Sequence, residues 1–178
     1  MKKIYLLLLV VAFSFSGCEK DDICDPTSTA TTPRLVVQFY DNSISTPTLK
    51  NVTNLSAIAD GMSSGIVFDT TLPVDDTDRY LTNGTKIFLP LQPTGTVTTY
   101  KLTFNTGAAG AENTDIITFD YTTKNVYVSR ACGYKTLFNL TNTNANLVTP
   151  DSDNWIKSIF IAQPNIETEN DIHVQIFF

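Results

Sequence analysis

Apolar residues return at every second position along this chain, and that period limits its fold more than any other feature. Tyr100, Leu102 and Phe104 fall on one side of an extended segment, with Thr99, Lys101 and Thr103 on the other. Ile117, Phe119 and Tyr121 repeat the pattern, and so do Ile172, Val174, Ile176 and Phe178. Successive side chains of a strand point to opposite faces, so this is the mark of half-buried β-strands. The 27 Thr and 14 Asn among 178 residues agree with it. Thr packs well on a pleated surface and Asn favours turns. No amphipathic helix of comparable length competes.

Strands are expected at 34–40, 49–59, 65–69, 97–105, 115–121, 126–132, 135–140, 155–162 and 171–178. Asn83-Gly84, inside 80–89, carries the positive-φ preference of a type I′ turn, so a hairpin is expected there. Thr123-Lys124-Asn125 reads as another turn. About ten short strands with turn signals between them predict an all-β fold. The form expected is a single antiparallel β-sandwich, Ig-like or jelly-roll-like. A membrane barrel fits poorly, because its strands need about 9–11 residues with an apolar lipid-facing side.

The N-terminus carries a different signal. Met1-Lys2-Lys3 is followed by an apolar run from Ile4 to Phe15 that only Ser14 interrupts. A spanning helix needs about 20 residues, so this run reads as a signal-peptide core. Phe15-Ser16-Gly17-Cys18 resembles a bacterial lipobox, with Phe where Leu is usual. The resemblance implies that Cys18 becomes the acylated first residue of the mature chain. Two or more acyl chains anchor a protein stably where one does not. Glu19-Lys20-Asp21-Asp22 is similar to the short signal that sends Bacteroidota lipoproteins to the cell surface, so that face is expected rather than the periplasmic leaflet. The organisation expected is a signal peptide over 1–17, an acidic and Thr-rich tether over 18–33 and the sandwich over 34–178.

The full chain has net charge −6, and losing Lys2 and Lys3 leaves ten basic side chains against 18 acidic. That balance excludes a basic nucleic-acid footprint and leaves anchoring to the lipid.

With Cys18 acylated, Cys24 and Cys132 remain. Compartments outside the cytoplasm are oxidising, so these two most simply pair; the alternative is two buried free thiols. Two Cys and one His fall short of the four ligands of a structural zinc site, and no metal or cofactor is expected.

Four stretches carry a wider resemblance: Cys18–Cys24, Pro33–Asp41, Tyr127–Lys135 and His173–Phe178. They resemble a family of small flavobacterial lipoproteins catalogued as a domain of unknown function. The resemblance implies a Bacteroidota outer-membrane lipoprotein and carries no activity with it.

Functional groups are densest at Arg130, Cys132, Tyr134 and Lys135. On a strand over 126–132, Arg130 and Cys132 share a face, and the guanidinium fork suits a carboxylate or phosphate. Arg130, Tyr134 and Lys135 are therefore the candidate contacts for a ligand or partner. The Asp69, Asp75, Asp76 and Asp78 region lacks the spacing of a calcium loop, and Glu167, Glu169 and Asp171 form a second acidic run; both read as solvated loops. Asp69-Thr70-Thr71 is similar to a short bacterial O-glycosylation acceptor, with Thr70 as the residue modified. Trp155 and most Tyr fall at core spacing. His173, the single histidine, has no nucleophile assigned to it by spacing, so no catalytic residue is expected. The function expected is a non-enzymatic module that binds a protein partner in the envelope. A cell-surface glycan-binding module is the alternative, and a hydrolase built on His173 a distant third.

Overall fold

The computed structural model describes Cys24 and residues 31–43, 46–142 and 147–178. The expected signal peptide, Cys18 and most of the tether lie outside the described residues. Among those described, no helix is long and apolar enough to cross a membrane. Among the described residues nine strands follow one another: β1 (Leu35–Tyr40), β2 (Ser56–Ala59), β3 (Lys86–Leu89), β4 (Val97–Phe104), β5 (Asn113–Ser129), β6 (Gly133–Leu140), β7 (Ser158–Ile161), β8 (Asn165–Ile166) and β9 (Val174–Phe177). A 3₁₀ turn, Thr77–Tyr80, precedes β3. The chain divides into two compact units. One holds residues 1–31 with 125–135, the other 32–124 with 136–178.

The larger unit contains the sandwich. One sheet has the order β3-β1-β9-β7 and the other β2-β4-β5-β6-β8. Alternation puts Val37, Phe39, Ile87, Leu89, Val174 and Ile176 of the first sheet into one core with Tyr100, Leu102, Ile117, Phe119 and Phe138 of the second. The outer face of β4 and β5 explains the threonines. Thr99 opposes Thr118 and Thr103 opposes Thr114, and the paired hydroxyls lie 3.0 and 2.8 Å apart. Cross-strand pairs of this kind stabilise a solvated sheet face modestly.

The all-β sandwich expected from the sequence is what forms, with one departure from the antiparallel pattern. β1 runs parallel to β9, Val37 opposite Val174 and Phe39 opposite Ile176. A parallel pair needs a long crossover, and here the intervening domain supplies it.

Three local expectations fail. No hairpin forms at Asn83-Gly84, because the flanking residues pair with different segments. Thr82 exchanges backbone hydrogen bonds with Leu55 at 2.9 and 3.0 Å, and Val52 N–H donates to Gly84 at 3.1 Å. Lys86–Leu89 instead joins β1. Thr123-Lys124-Asn125 is no turn: β5 runs straight through it for 17 residues. The chain reverses only after Ser129, and Gly133 takes φ +70° where a side chain would be strained. Residues 65–69 form no strand either; Phe68 and Asp69 N–H both donate to the Arg79 carbonyl.

The last strand is packed at its end. Phe178 meets Trp155 edge-on at 5.4 Å between centroids and Phe39 at 6.1 Å. Its carbonyl accepts from Lys50 Nζ at 2.8 Å, and the same ammonium lies 4.3 Å from its ring centroid. Phe178→Ala should therefore lower stability by about 2–4 kcal/mol in urea unfolding, near the lower end for a core Phe because the ring is half-buried. A loss under about 1 kcal/mol, a size typical of surface changes, would show that the cluster is not part of the core.

Candidate functional site

Sequence-predicted residues converge on the smaller unit. Cys24 and Cys132 are joined by a disulfide with Cα atoms 5.0 Å apart, inside the usual range of about 4.4–6.8 Å. Cys132 lies in the turn between β5 and β6 rather than on a strand, and so does Arg130. The two therefore do not share a strand face, which corrects the expectation for 126–132. Cys132 N–H donates to Ser129 Oγ at 3.1 Å, which steadies the turn. Tyr134 is 70% exposed, and its ring meets that of Tyr127, 57% exposed, at 5.5 Å in an edge-on pair. Arg130 is exposed and Lys135 half-buried. Tyr127 was missed as a candidate; only its place in a strand two residues from Ser129 hinted at a cross-strand partner.

A second feature lies in the larger unit and had no sequence signal. A groove of about 850 Å³ opens beside β2, between the 63–65 loop, the 3₁₀ turn and the loop after β4. Asn54, Ser56, Ser63, Asp78, Tyr80 and Ala108 are among its walls. Local chemistry builds each wall. Ser56 Oγ and Thr106 Oγ1 lie 2.9 Å apart, and Asn105 adopts φ 55° to start the loop. Asp76 caps the 3₁₀ turn by accepting from Asp78 N–H at 2.9 Å. Arg79 Nη1 donates to the Leu72 carbonyl, and Tyr80 hydroxyl donates to that of Val74 at 3.4 Å. The lining is hydroxyl-rich with apolar patches at Ile58, Leu81 and Ala108. More of its exposed surface is apolar than polar, and Asp78 adds one carboxylate.

The remaining candidates serve the fold. Asp69 Oδ1 accepts from Thr71 N–H at 2.8 Å and from Thr71 Oγ1 at 2.6 Å, which holds its carboxyl below the usual range. Thr70 beside it is exposed. Glu169 is no free acid. Its oxygens accept from Arg34 Nε at 2.8 Å, Nη2 at 2.7 Å and backbone N at 3.0 Å. That fork lowers the Glu169 pKa and raises that of Arg34. Asp115 is fully buried on the core face of β5 and accepts from the backbone N–H groups of Trp155 at 3.3 Å and Ile156 at 2.8 Å. Its pKa is raised because burial outweighs those hydrogen bonds. Its place in the 115, 117, 119, 121 series was the missed signal.

His173 is 0% exposed. Nδ1 accepts from Val36 N–H at 2.9 Å, and Nε2 is buried with no partner. Desolvation lowers its pKa; Asp171 and Glu169 oppose the shift in part. The ring thus holds the parallel strand pair in register, and only its neutral form can accept at Nδ1.

Residues 64–178 match a family of unknown function, DUF6452. The match begins inside the groove loop and takes in β3 to β9 with Cys132. No curated protein and no solved structure matches the chain.

The disulfide spans 108 residues, and closing a loop of about 100 residues is worth up to roughly 4.7 kcal/mol in the chain-entropy account. Cys24→Ser and Cys132→Ser should destabilise equally in thermal or urea unfolding. The double variant should lose no more than either single one, since both remove the same bond. Additive losses would mean that the two thiols act separately.

His173 sets a pH window. Its folded pKa lies below the ordinary value of about 6.5, so as pH falls through that value the unfolded chain takes up a proton that the folded one does not. Stability should decline from about pH 7 towards pH 5, whereas Glu169, with its lowered pKa, loses its contribution only below about 4.3. His173→Gln should flatten the urea midpoint across that window. An unchanged slope would assign the pH dependence to another group.

Proposed function

Since the chain belongs to the DUF6452 family, whose function is unknown, we propose from its own residues that it is a lipid-anchored outer-membrane protein of a Bacteroidota cell surface that works by binding an envelope protein. The observation that carries the binding reading is the groove beside β2. It is roomy and open, its Ser56 and Thr106 hydroxyls pair with each other, and Asp76 caps the 3₁₀ turn that forms one wall. Preformed concave sites of about 300–1,000 Å³ are the usual form of a binding pocket. No catalytic role is assigned to His173, whose Nδ1 is committed to the Val36 backbone.

The anchor reading is supported by the lipobox-like Phe15–Cys18 and by the cysteine pattern. If Cys18 carries lipid, Cys24 and Cys132 are left to pair, as they do. A protein segment from the partner could lie in the groove with its apolar side chains on Ile58, Leu81 and Ala108. One observation favours the second reading, a glycan ligand: Tyr80 stands among Asn54, Ser56 and Ser63, an aromatic ring beside hydroxyl and amide groups that match sugar hydroxyls.

The test uses two variants in intact cells. Cys18→Ala should leave the membrane fraction, while the wild type stays there and is cut by external protease. Ala108→Trp should fill the groove and abolish a crosslink formed by a photoreactive residue at Ser63, with less than about 1 kcal/mol lost in stability. One protein recovered by the wild type and lost in Ala108→Trp supports the first reading. A glycan-array signal lost in Tyr80→Ala supports the second. Binding unaffected by Ala108→Trp would remove the groove from either.

A further inference from the structure

We propose that the turn end of the β5–β6 hairpin, through Tyr127, Arg130 and Tyr134, docks on the head-group surface of the bilayer that holds the chain's own lipid. This rests on the anchor reading above and goes beyond it, by making the folded hairpin a second membrane contact.

The length of chain between lipid and staple is the first argument. Cys24 is six residues after Cys18 and is bonded to Cys132 with Cα atoms 5.0 Å apart. A fully extended chain advances about 3.3–3.6 Å per residue, so Cys24 stays within roughly 22 Å of the lipidated residue and Cys132 within roughly 27 Å. The head-group layer takes up a good part of that distance, since each side adds about 5–8 Å to the hydrocarbon core. The surface is thus presented to the hairpin at an effective concentration of about millimolar. A contact with a dissociation constant below about millimolar is then mostly occupied.

The chemistry of the tip is the second. Tyr127 and Tyr134 are 57% and 70% exposed, and their rings pair edge-on at 5.5 Å. Two solvated aromatic rings cost hydration that an interface relieves, since a Tyr ring can sit among head groups with its hydroxyl in water. Arg130 lies exposed in the same turn, and its planar fork suits a phosphate.

Charge is the third. From residue 121 to 150 the chain has no Asp or Glu, yet it carries Lys124, Arg130 and Lys135. All 18 acidic residues lie outside that stretch. The turn end of the hairpin, beyond Asp120 of β5, is therefore an acid-free part of an otherwise acidic protein. Glu19, Asp21 and Asp22 of the tether oppose an anionic surface, so ring burial and the Arg130 contact must supply the attraction.

The experiment reads ring depth directly. The full chain is purified from expressing cells with Cys18 carrying its native lipid or, where the thiol is free, a maleimide-coupled one. It is placed in vesicles of phosphatidylcholine and phosphatidylglycerol, with and without brominated acyl chains. Tyr134→Trp reports, and the parent protein corrects for Trp155, which is buried. Docking predicts a blue-shifted signal that loses about half of its intensity to brominated lipid, as expected for an interfacial ring. Arg130→Glu should reduce that quenching, and Cys24→Ser with Cys132→Ser should release the tip and reduce it further. An unshifted, unquenched signal in protein that co-floats with the vesicles overturns the proposal. So does a shift produced by added glycan or protein without lipid quenching, which would assign the ring pair to that occupant. The mass of the Cys18 peptide decides the native anchor separately, so the two readings fail independently.

Discussion

The parallel pairing of β1 with β9 is the contact on which the rest of the sandwich depends. It sets the first described strand beside the last, Val37 opposite Val174 and Tyr40 opposite Phe177. β3 and β7 then add to its two outer sides and complete the sheet. His173 reinforces the pair, since its backbone N–H donates to the Val36 carbonyl at 3.0 Å while Nδ1 takes the Val36 N–H. Tyr40 and Phe177 stack at 5.3 Å beyond it. Pairing so distant in sequence is entropically costly to nucleate, so this sheet forms only once much of the chain is already ordered.

The other sheet is held by local means. β4 and β5 are joined by a short loop and run antiparallel from Val97 opposite Asp120 to Phe104 opposite Asn113. Their inner residues fill the core, and their outer threonines pair hydroxyl to hydroxyl. Asp115 then links the two sheets from within. It is a core-face carboxylate whose acceptors take the backbone N–H groups just before β7. A buried acid is tolerable only when hydrogen-bonded, and here its partners are the donors of a segment that would otherwise lack them.

The disulfide does a different job from either sheet. It ties the tether to the turn between β5 and β6, and both cysteines belong to the smaller unit. The groove beside β2 belongs to the larger unit.

The residue pattern alone determined the all-β class and the core faces of β4, β5 and β9, and it favoured the pairing of Cys24 with Cys132. These follow from side-chain alternation and from thiol chemistry, which are properties of short segments and of counts. The tertiary structure decided the rest, because the outcome lay in competition between distant partners. Asn83-Gly84 carries good local turn chemistry, yet Leu55 and β1 capture its two flanks. Thr122 to Asn125 are exposed on β5, and β-branched residues with a partner in β6 keep the strand extended past a weak turn signal. Glu169 reads as one acid in a run until Arg34 is folded against it. The groove is the furthest from view. Its walls come from segments about fifty residues apart, and no periodicity marks them, because a concave surface exists only once those segments are packed together.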